Sequence, residues 1–306
     1  MLMTTSARPK NLVVTVAAGY REAQIRPFLA SLAHYSPNVS LRLITDRIDP
    51  EFEDAVRAWI PDSSLHLLPP AGLRNFALKR KWARSILKRL ARWLPPPNFG
   101  RRLLKINYVR HIVIHDLFRS WNLEQERVLL VDSRDLVFQS DPFSGDWPHL
   151  WSGEEDKRIG DCSLNSFWLH RAGGPEALQK AKHHLIVCAG VIGGQADRIR
   201  QYLQRSSAVV EGLACQVALD DGDQGIHNNL VRLSPDLGFT VLRNGSPLVA
   251  NVSYTMPDDL IIEHGQVRLL RRDEVPAILH QYDRHPKLVA LIQSKWDCAK
   301  PSAFGC

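Results

Sequence analysis

Two aspartates follow an apolar run in the middle of the sequence, and their types and spacing could do chemistry. Residues 127–139 read RVLLVDSRDLVFQ, so Asp132 and Asp135 come directly after the apolar stretch Val128–Val131. The stretch predicts a buried strand, and ionised carboxylates at its tip need compensation because burying unpaired charge is costly. A divalent cation, Mn²⁺ or Mg²⁺, compensates them and keeps coordination positions open for phosphate oxygens. The sequence therefore predicts a metal site here.

A purely structural explanation of this acidic turn is also open. Asp132 could cap the turn, and Asp135 could pair with the neighbouring Arg134, since acidic residues are common in turns after strands. Arg134 could instead bind phosphate directly, or it could orient one of the two aspartates.

The elements that must position these residues begin with an alternation of strands and helices. Strands are expected over residues 11–18, 40–45 and 65–68, and helices over residues 21–35, 50–59 and 106–121. Asp49 is a suitable N-cap for the second helix, and Pro50 suits its first position. The order is typical of an α/β Rossmann-type fold, a mostly parallel central sheet flanked by helices.

In such a sheet, ligands bind beyond the carboxyl ends of the strands. The first predicted strand ends at Ala17, Ala18 and Gly19, and the second ends just before Asp46. These four residues are therefore candidates for nucleotide binding.

The chain carries a formal net charge of +7, and the charge is unevenly spread. Residues 79–105 hold ten Lys and Arg residues and no acid. Apolar residues recur among them at helical spacing, which predicts a basic amphipathic insertion over about residues 74–105. An anionic membrane surface is a candidate partner for it, and an ordinary surface helix packed on the core is the alternative. No nucleic-acid-binding module accompanies the charge, so nucleic acid is not expected.

Nothing at the start of the sequence resembles a secretory signal, and no stretch approaches the roughly 18 apolar residues of a membrane span. We therefore expect a cytoplasmic protein that attaches at most peripherally to the inner face of the membrane. The five cysteines are far apart and form no CxxC pair, which argues against a zinc site and a disulfide framework.

Several segments, taken in order, resemble those of the A-type (GT-A) glycosyltransferases. They are VDSRDLVFQSDPF (131–143), CSLNSFWL (162–169), CAGVIGG (188–194), DQGIHN (223–228) and ILHQYDRHP (278–286). In that fold, an Asp-x-Asp motif holds a metal ion and the donor diphosphate. Here the motif reads Asp-Ser-Arg-Asp. Alignment on the following Leu-Val-Phe matches Ser133 and Asp135 to it, whereas alignment on the strand end makes Asp132 its first residue.

The resemblance implies further roles at the donor site. His280 is implied as a third metal ligand, and Arg110, on the helix before the acidic strand, as a phosphate-binding residue. Gly190 and Gly193 belong to a strand-turn that lines the donor sugar, where glycine would let the backbone approach it.

The resemblance also implies a catalytic pair, Asp223 and Gln224. Asp223 would act as a base for an incoming hydroxyl or would stabilise an oxocarbenium-like transition state. The implied enzyme is a metal-dependent glycosyltransferase that moves a sugar from a nucleotide-diphosphate sugar, with a UDP-sugar expected, to a hydroxyl acceptor such as a glycolipid or polysaccharide intermediate. One domain would span residues 1–306, with a nucleotide-binding half over 1–127 and a metal, donor-sugar and acceptor half over 128–306.

Two alternatives come from other functional classes. A sugar-phosphate nucleotidyltransferase shares the fold and the metal carboxylates, but its first loop is usually rich in glycine and basic residues, unlike VAAGYRE at residues 16–22. A non-catalytic basic protein that binds membranes or nucleic acid would leave the acids at the strand tip without a role.

Overall fold

The structure is a computed structural model, and it describes residues 11–68, 104–121, 123, 126–217 and 222–297, without the side chains of 214–217. Its strands are β1 (Asn11–Val16), β2 (Ser40–Thr45), β3 (Ser63–Leu67), β4 (Arg127–Asp132), β5 (Leu136–Phe138), β6 (Leu150–Arg158), β7 (Leu185–Gln195), β8 (Thr240–Leu242), β9 (Val249–Asn251), β10 (Leu260–Glu263), β11 (Gln266–Leu269) and β12 (Ile278–His280). Its helices are α1 (Glu22–Tyr35), α2 (Pro50–Trp59), α3 (Ile106–Ser120), α4 (Ser163–Ala181, with a break at Gly174), α5 (Ala196–Val217), α6 (Asp223–Leu233) and α7 (Pro286–Trp296).

A seven-stranded sheet in the order β3-β2-β1-β4-β7-β6-β8 forms the centre of the fold. Strands β3, β2, β1 and β4 pair with one another in parallel, as does β8 with β6. Strand β7 runs antiparallel to both β4 and β6. The predicted α/β fold with a mostly parallel sheet is thus confirmed, and β7 departs from a strictly parallel arrangement.

The amino-terminal elements follow the sequence pattern closely. Strand β2 and helix α2 have the predicted bounds, and Asp49 caps α2 by accepting a hydrogen bond from the Phe52 N–H at 2.8 Å. Strand β1 ends at Val16, two residues before the predicted end, so that Ala17 and Ala18 begin the loop to α1.

Two hydrophobic cores share the central sheet, because consecutive side chains on a strand point to opposite faces. In β1, Val13 packs in one core, which α1, α2 and α7 cover. Its neighbours Leu12 and Val14 pack in the other core, which α3, α5 and α6 cover. The shared sheet unites the described residues in a single α/β domain.

A second sheet, in the order β5-β12-β9, brings a distant part of the chain to the acidic turn. His280, the last residue of β12, is in register with Leu136 of β5 and with Asn251 of β9. The next residue, Gln281, donates its backbone N–H to the Asp135 carbonyl at 2.7 Å. Since β5 follows the turn directly, this pairing places His280 beside the two aspartates.

One local expectation is wrong. The CAGVIGG segment contains no turn, because β7 continues through it to Gln195. Gly193 is in register with both Leu129 of β4 and Trp151 of β6, so it lies within the sheet.

The predicted basic insertion falls almost entirely outside the described residues, which resume at Leu104. None of the helices that the structure describes combines the length and the apolar character needed to cross a membrane.

Candidate active site

A cavity of about 320 Å³ opens at the carboxyl ends of β1 and β4, the side of an α/β sheet on which ligands bind. Nine residues singled out from the sequence line it: Ala18, Arg110, Asp132, Arg134, Asp135, Gly190, Asp223, Gln224 and His280. They come from six separate stretches of the chain, and the fold brings them together.

Asp132, Asp135 and His280 form the candidate metal site within this cavity. Each offers one ligand atom, and the three atoms lie within 4.8 Å of one another. His280 Nε2 is 3.8 Å from Asp132 Oδ2 and 3.6 Å from Asp135 Oδ1. Both aspartates therefore lie at the candidate metal site, whichever of the two alignments of the motif is used.

The hydrogen bonds of His280 suit it to ligate a metal ion. Its Nδ1 lies 2.9 Å from Asn251 Oδ1, and donation to that oxygen leaves a lone pair on Nε2. Nε2 is buried and has no hydrogen-bond partner among the described residues. Such an outer hydrogen bond is what fixes the tautomer and orientation of metal-bound histidines.

Gly190 on β7 leaves the space that this site needs. A Cβ atom there would lie 2.3 Å from His280 Cε1 and 2.7 Å from Asp132 Oδ2. Any side chain would therefore displace the imidazole or the carboxylate. The backbone approaches the candidate ligands closely here, whereas the resemblance implied that it approaches the donor sugar.

Arg110 on α3 bridges two acidic residues of the cavity. Its Nη1 is 2.6 Å from Asp132 Oδ1, and its Nη2 is 2.5 Å from Asp223 Oδ2. Burial opposes the charged forms, but the ion pairs outweigh it: they raise the pKa of Arg110 and, together with His280, hold the pKa of Asp132 well below its usual range. Asp132 is therefore ionised at neutral pH.

The charge of His280 responds to the same acidic surroundings. Burial acts to lower the pKa of His280, but the acidic groups of Cys188, Asp132 and Asp135 raise it well above its ordinary value. This concentration of negative charge is what a cation would neutralise.

Asp223 and Gln224 stand at the first turn of α6. Asp223 Oδ1 accepts a hydrogen bond from the Gln224 backbone N–H at 2.9 Å, while Oδ2 faces Arg110. The Gln224 side chain donates from Nε2 to Asn165 Oδ1 at 3.0 Å. Both side chains are held in place, with the Gln224 amide on the cavity wall.

Arg134 does not pair with Asp135. It forms an ion pair with Asp283, which also pairs with Arg284 Nη1 at 2.9 Å. Arg134 and Arg284 both line the cavity and are about half exposed, at 47% and 51% of their side-chain surface. Two guanidinium groups are therefore available at the rim for an anionic group.

Known structures share this architecture. The glycosyltransferase GlyE of Streptococcus pneumoniae TIGR4 matches 97% of this chain with a TM-score of 0.53 and 15% sequence identity. The galactosyltransferase LgtC, solved with donor and acceptor sugar analogues, matches 92% of this chain and 95% of its own, with a TM-score of 0.52 and 16% identity. The chain has the GT-A glycosyltransferase fold.

The similarity to GlyE and LgtC lies in the structure rather than in the sequence. The chain spans 62% of the length of GlyE. No protein-family model matches the sequence, and no curated protein is detectably similar to it.

The first loop of this GT-A domain places one of the four candidate nucleotide-binding residues at the cavity. Ala18 lines the cavity, whereas Ala17, Gly19 and Asp46 are not among its lining residues. Asp46 Oδ1 accepts a hydrogen bond from the Gly19 N–H at 2.8 Å, and Gly19 has a positive φ of 79°. These two residues shape the loop, and the next residue, Tyr20, lines the cavity.

Gly193 also lies away from the cavity of this GT-A domain. A Cβ atom there would fall 2.2 Å from Cε2 of Trp151, so the glycine makes room for a buried indole on the neighbouring strand.

Sequence reasoning missed several lining residues: Tyr20, Asn107, Cys188, Gln281 and Arg284. Gln281 and Arg284 stand in the HQYDRHP segment, from which His280 alone was selected. Gln281 has a left-handed backbone (φ 65°), which is unusual for a residue other than glycine. Strained backbone of this kind clusters at functional sites, but φ is not visible in the sequence.

Glu155 on β6 is a further buried acid behind the cavity wall, 1% exposed. Its Oε1 accepts a hydrogen bond from Gln281 Nε2 at 3.3 Å. Burial raises the pKa of Glu155 despite hydrogen bonds with Cys188 and Gln281.

Proposed function

We propose that this protein is a metal-dependent glycosyltransferase that moves a sugar from a nucleoside-diphosphate sugar, with a UDP-sugar expected, to a hydroxyl acceptor. The observation that carries the proposal is the convergence of Asp132, Asp135 and His280 within 4.8 Å, in a cavity that also contains Gln224. LgtC binds donor and acceptor sugar analogues, and the proposal extends this to the cavity of the present chain.

Asp132, Asp135 and His280 would hold the metal ion, with Mn²⁺ as the best match to the donor set and Mg²⁺ as the alternative. When bound, such an ion neutralises the negative charge that develops on the departing diphosphate. Arg134 and Arg284 would bind phosphate oxygens from the rim, where charge-assisted hydrogen bonds fix the position of an anion.

Ala18 and Tyr20, on the loop after β1, would contact the nucleoside. Gly19 and Asp46 would act through the shape of this loop, since the hydrogen bond between them closes it. Ala17 would act in the same indirect way, because it is fully buried.

The catalytic pair would work through Gln224, whose side-chain amide lines the cavity. Asp223 is paired with Arg110 at 2.5 Å, and this ion pair favours the ionised carboxylate over the protonated one. A carboxylate stabilised in this way is a weak base. We therefore favour the role of Asp223 in stabilising positive charge in the transition state over a role as base for the acceptor hydroxyl.

The acceptor would enter beside Gln224 and Arg284. A glycolipid or polysaccharide intermediate is consistent with the basic residues 79–105, which would bring the enzyme to an anionic membrane surface. This part of the proposal rests on the sequence, because residues 79–103 lie outside the described residues.

Thermal unfolding in the presence of nucleotides tests the proposal. A ligand at about one hundred times its dissociation constant stabilises a protein by about 2.7 kcal/mol. We expect UDP or a UDP-sugar to raise the melting temperature in Mn²⁺ but not in EDTA, and Asp135→Asn to abolish the shift. Asp54→Asn is the matched control, because Asp54 is exposed on α2, far along the chain from the site.

Two results would contradict the proposal. One is that neither UDP, GDP nor their sugars shift the melting temperature in Mn²⁺. The other is that Asp135→Asn keeps the full melting shift, which would show that the acidic turn takes no part in donor binding.

A further inference from the structure

A second cavity, of about 390 Å³, is lined by residues that the proposed reaction does not use. Its volume falls within the range of about 300–1,000 Å³ that is typical of ligand pockets. Its walls come from β6, the start of β7 and the residues between β8 and α7: Asp156, Leu185, Asn244, Tyr254, Thr255, Met256, Asp259, Leu269, Leu270, Arg271 and Arg272.

Asp156 is fixed on one side only. Its Oδ2 accepts hydrogen bonds from Thr255 Oγ1 at 2.6 Å and from Asn244 Nδ2 at 2.9 Å. Thr255 and Asn244 are both 6% exposed, so the carboxylate has a rigid, buried support. Its Oδ1 has no hydrogen-bond partner among the residues that the structure describes. This oxygen is an oriented acceptor.

Two arginines supply donors to the same cavity. Arg272 is anchored by a hydrogen bond from its Nε to the Asn244 carbonyl at 3.1 Å, so that its terminal nitrogens have a defined position. Arg271 is exposed and forms no ion pair within the described part of the chain. Asp259 likewise pairs with no described cation.

Apolar groups complete the lining. Met256 and Leu270 are 66% and 53% exposed, among the most exposed large hydrophobic side chains of the described residues. Tyr254 also lines the cavity, and Lys157 Nζ lies 4.9 Å from the centroid of its ring. The cavity therefore combines carboxylates, guanidinium groups and apolar surface.

The formal charges of this lining cancel, since Asp156 and Asp259 balance Arg271 and Arg272. A strongly anionic or cationic ligand would find an opposing charge close to each attractive one. A sugar ring meets the same groups without conflict, because each hydroxyl both donates and accepts hydrogen bonds. Its C–H groups can pack on Met256, Leu270 and the Tyr254 ring.

The second cavity adjoins the candidate active site. Asn244 of the second cavity donates its Nδ2 to the Asn251 carbonyl at 3.0 Å, and Asn251 Oδ1 lies 2.9 Å from Nδ1 of His280 in the first cavity. Tyr254 lies within electrostatic reach of both sides: burial and Cys162, then Glu155, raise its pKa, whereas Arg284 at the first cavity lowers it. One buried residue, Asn251, therefore lies between the linings of the two cavities.

We propose that the second cavity is a carbohydrate subsite that binds a neutral sugar unit of an extended glycan acceptor. The inference rests on the proposed glycosyltransferase function for the identity of this glycan as an acceptor. It predicts that acceptors of two or more sugar units bind better than single sugars.

Binding to an array of immobilised neutral oligosaccharides, with sialylated and sulfated glycans alongside, tests the subsite. We expect the purified full-length protein to bind neutral glycans of two or more units. Arg271→Gln should weaken this binding about tenfold or more, the effect of losing a hydrogen bond to a charged group. Asp259→Asn should weaken it in the same direction. Arg119→Gln is the matched control, because Arg119 is exposed on α3 outside the cavity.

The nucleotide melting shift, measured on the same variants, separates this inference from the proposed function. Arg271→Gln should keep the full shift with UDP and Mn²⁺. Absence of the shift in the unmodified protein would count against the proposed function alone. The subsite would be overturned if no neutral glycan bound, if only anionic glycans bound, or if Arg271→Gln and Arg119→Gln bound equally well.

Discussion

Asp132 and Asp223 are joined by one guanidinium group, that of Arg110, which lies 2.6 Å from the first carboxylate and 2.5 Å from the second. One residue is a candidate metal ligand and the other a candidate catalytic residue. A change at either carboxylate therefore alters the charge balance at the other.

We predict that Arg110→Gln destabilises the protein by about 3 kcal/mol, because it removes the guanidinium from the charge of Asp223, whose side chain is only 11% exposed. Arg57→Gln is the control. It breaks a comparable contact with Glu53, at 2.6 Å, but Arg57 is 55% exposed, and such surface pairs contribute about 0.5 kcal/mol or less. Urea denaturation measures both. Equal small effects would show that the Arg110 bridge adds no stability.

Gly190→Ala should abolish the candidate metal site while leaving the fold intact. The new Cβ would displace His280 or Asp132, so we expect Mn²⁺ affinity to fall by about 10- to 100-fold, as for other changes that misplace metal ligands. Electron paramagnetic resonance of free Mn²⁺ measures this. Gly212→Ala is the control, because no atom lies within 4 Å of its added Cβ. Unchanged Mn²⁺ binding in Gly190→Ala would contradict the site.

Gly193→Ala should destabilise the fold and leave the proposed ligand binding intact. The Cβ would clash with the Trp151 indole at 2.2 Å, and overpacking of this kind costs about 1–3 kcal/mol. We expect a lower free energy of unfolding by urea, with the UDP and Mn²⁺ melting shift retained. Loss of the melting shift with an unchanged free energy of unfolding would instead show that Gly193 belongs to the donor site.

His227 should make the stability of the protein depend on pH. It is fully buried, and burial, with the charges of Arg110 and Arg232, lowers its pKa to about 3. The unfolded chain, with a histidine pKa of about 6.5, then binds the proton more tightly than the folded one. The stability that His227 supports is therefore complete above about pH 6.5 and falls as the pH drops toward 3, by about 1.4 kcal/mol per pH unit.

Urea denaturation between pH 7 and pH 4 measures this dependence. His227→Gln should reduce its slope, whereas His170→Gln, at an exposed position on α4, should leave the slope unchanged. A slope that is the same in all three proteins would show that His227 does not titrate differently on folding.

The sequence predicted the local elements well where periodicity and caps are strong. Helix α2 is an example: Asp49 and Pro50 mark its start, and Phe52, Val56 and Trp59 recur at helical spacing on its buried side. The acidic turn at Asp132 and Asp135 was also visible, because charge directly after an apolar run is unusual.

The contacts that complete the site were harder to predict, because they join distant parts of the chain. His280 reaches Asp135 only through the pairing of β12 with β5, and no local pattern specifies that pairing. The antiparallel direction of β7 also depends on pairing with distant strands, β4 and β6. Gly190 and Gly193 are three residues apart on β7, so they face opposite sides, towards His280 and Trp151 respectively.

The pairing of β12 with β5 also sets the order in which the site can form during synthesis. Asp132 and Asp135 leave the ribosome about 145 residues before His280 does. A nascent chain that has already folded β1 to β4 therefore presents the carboxylates without the imidazole. The candidate metal site is therefore complete only once β12 has docked against β5.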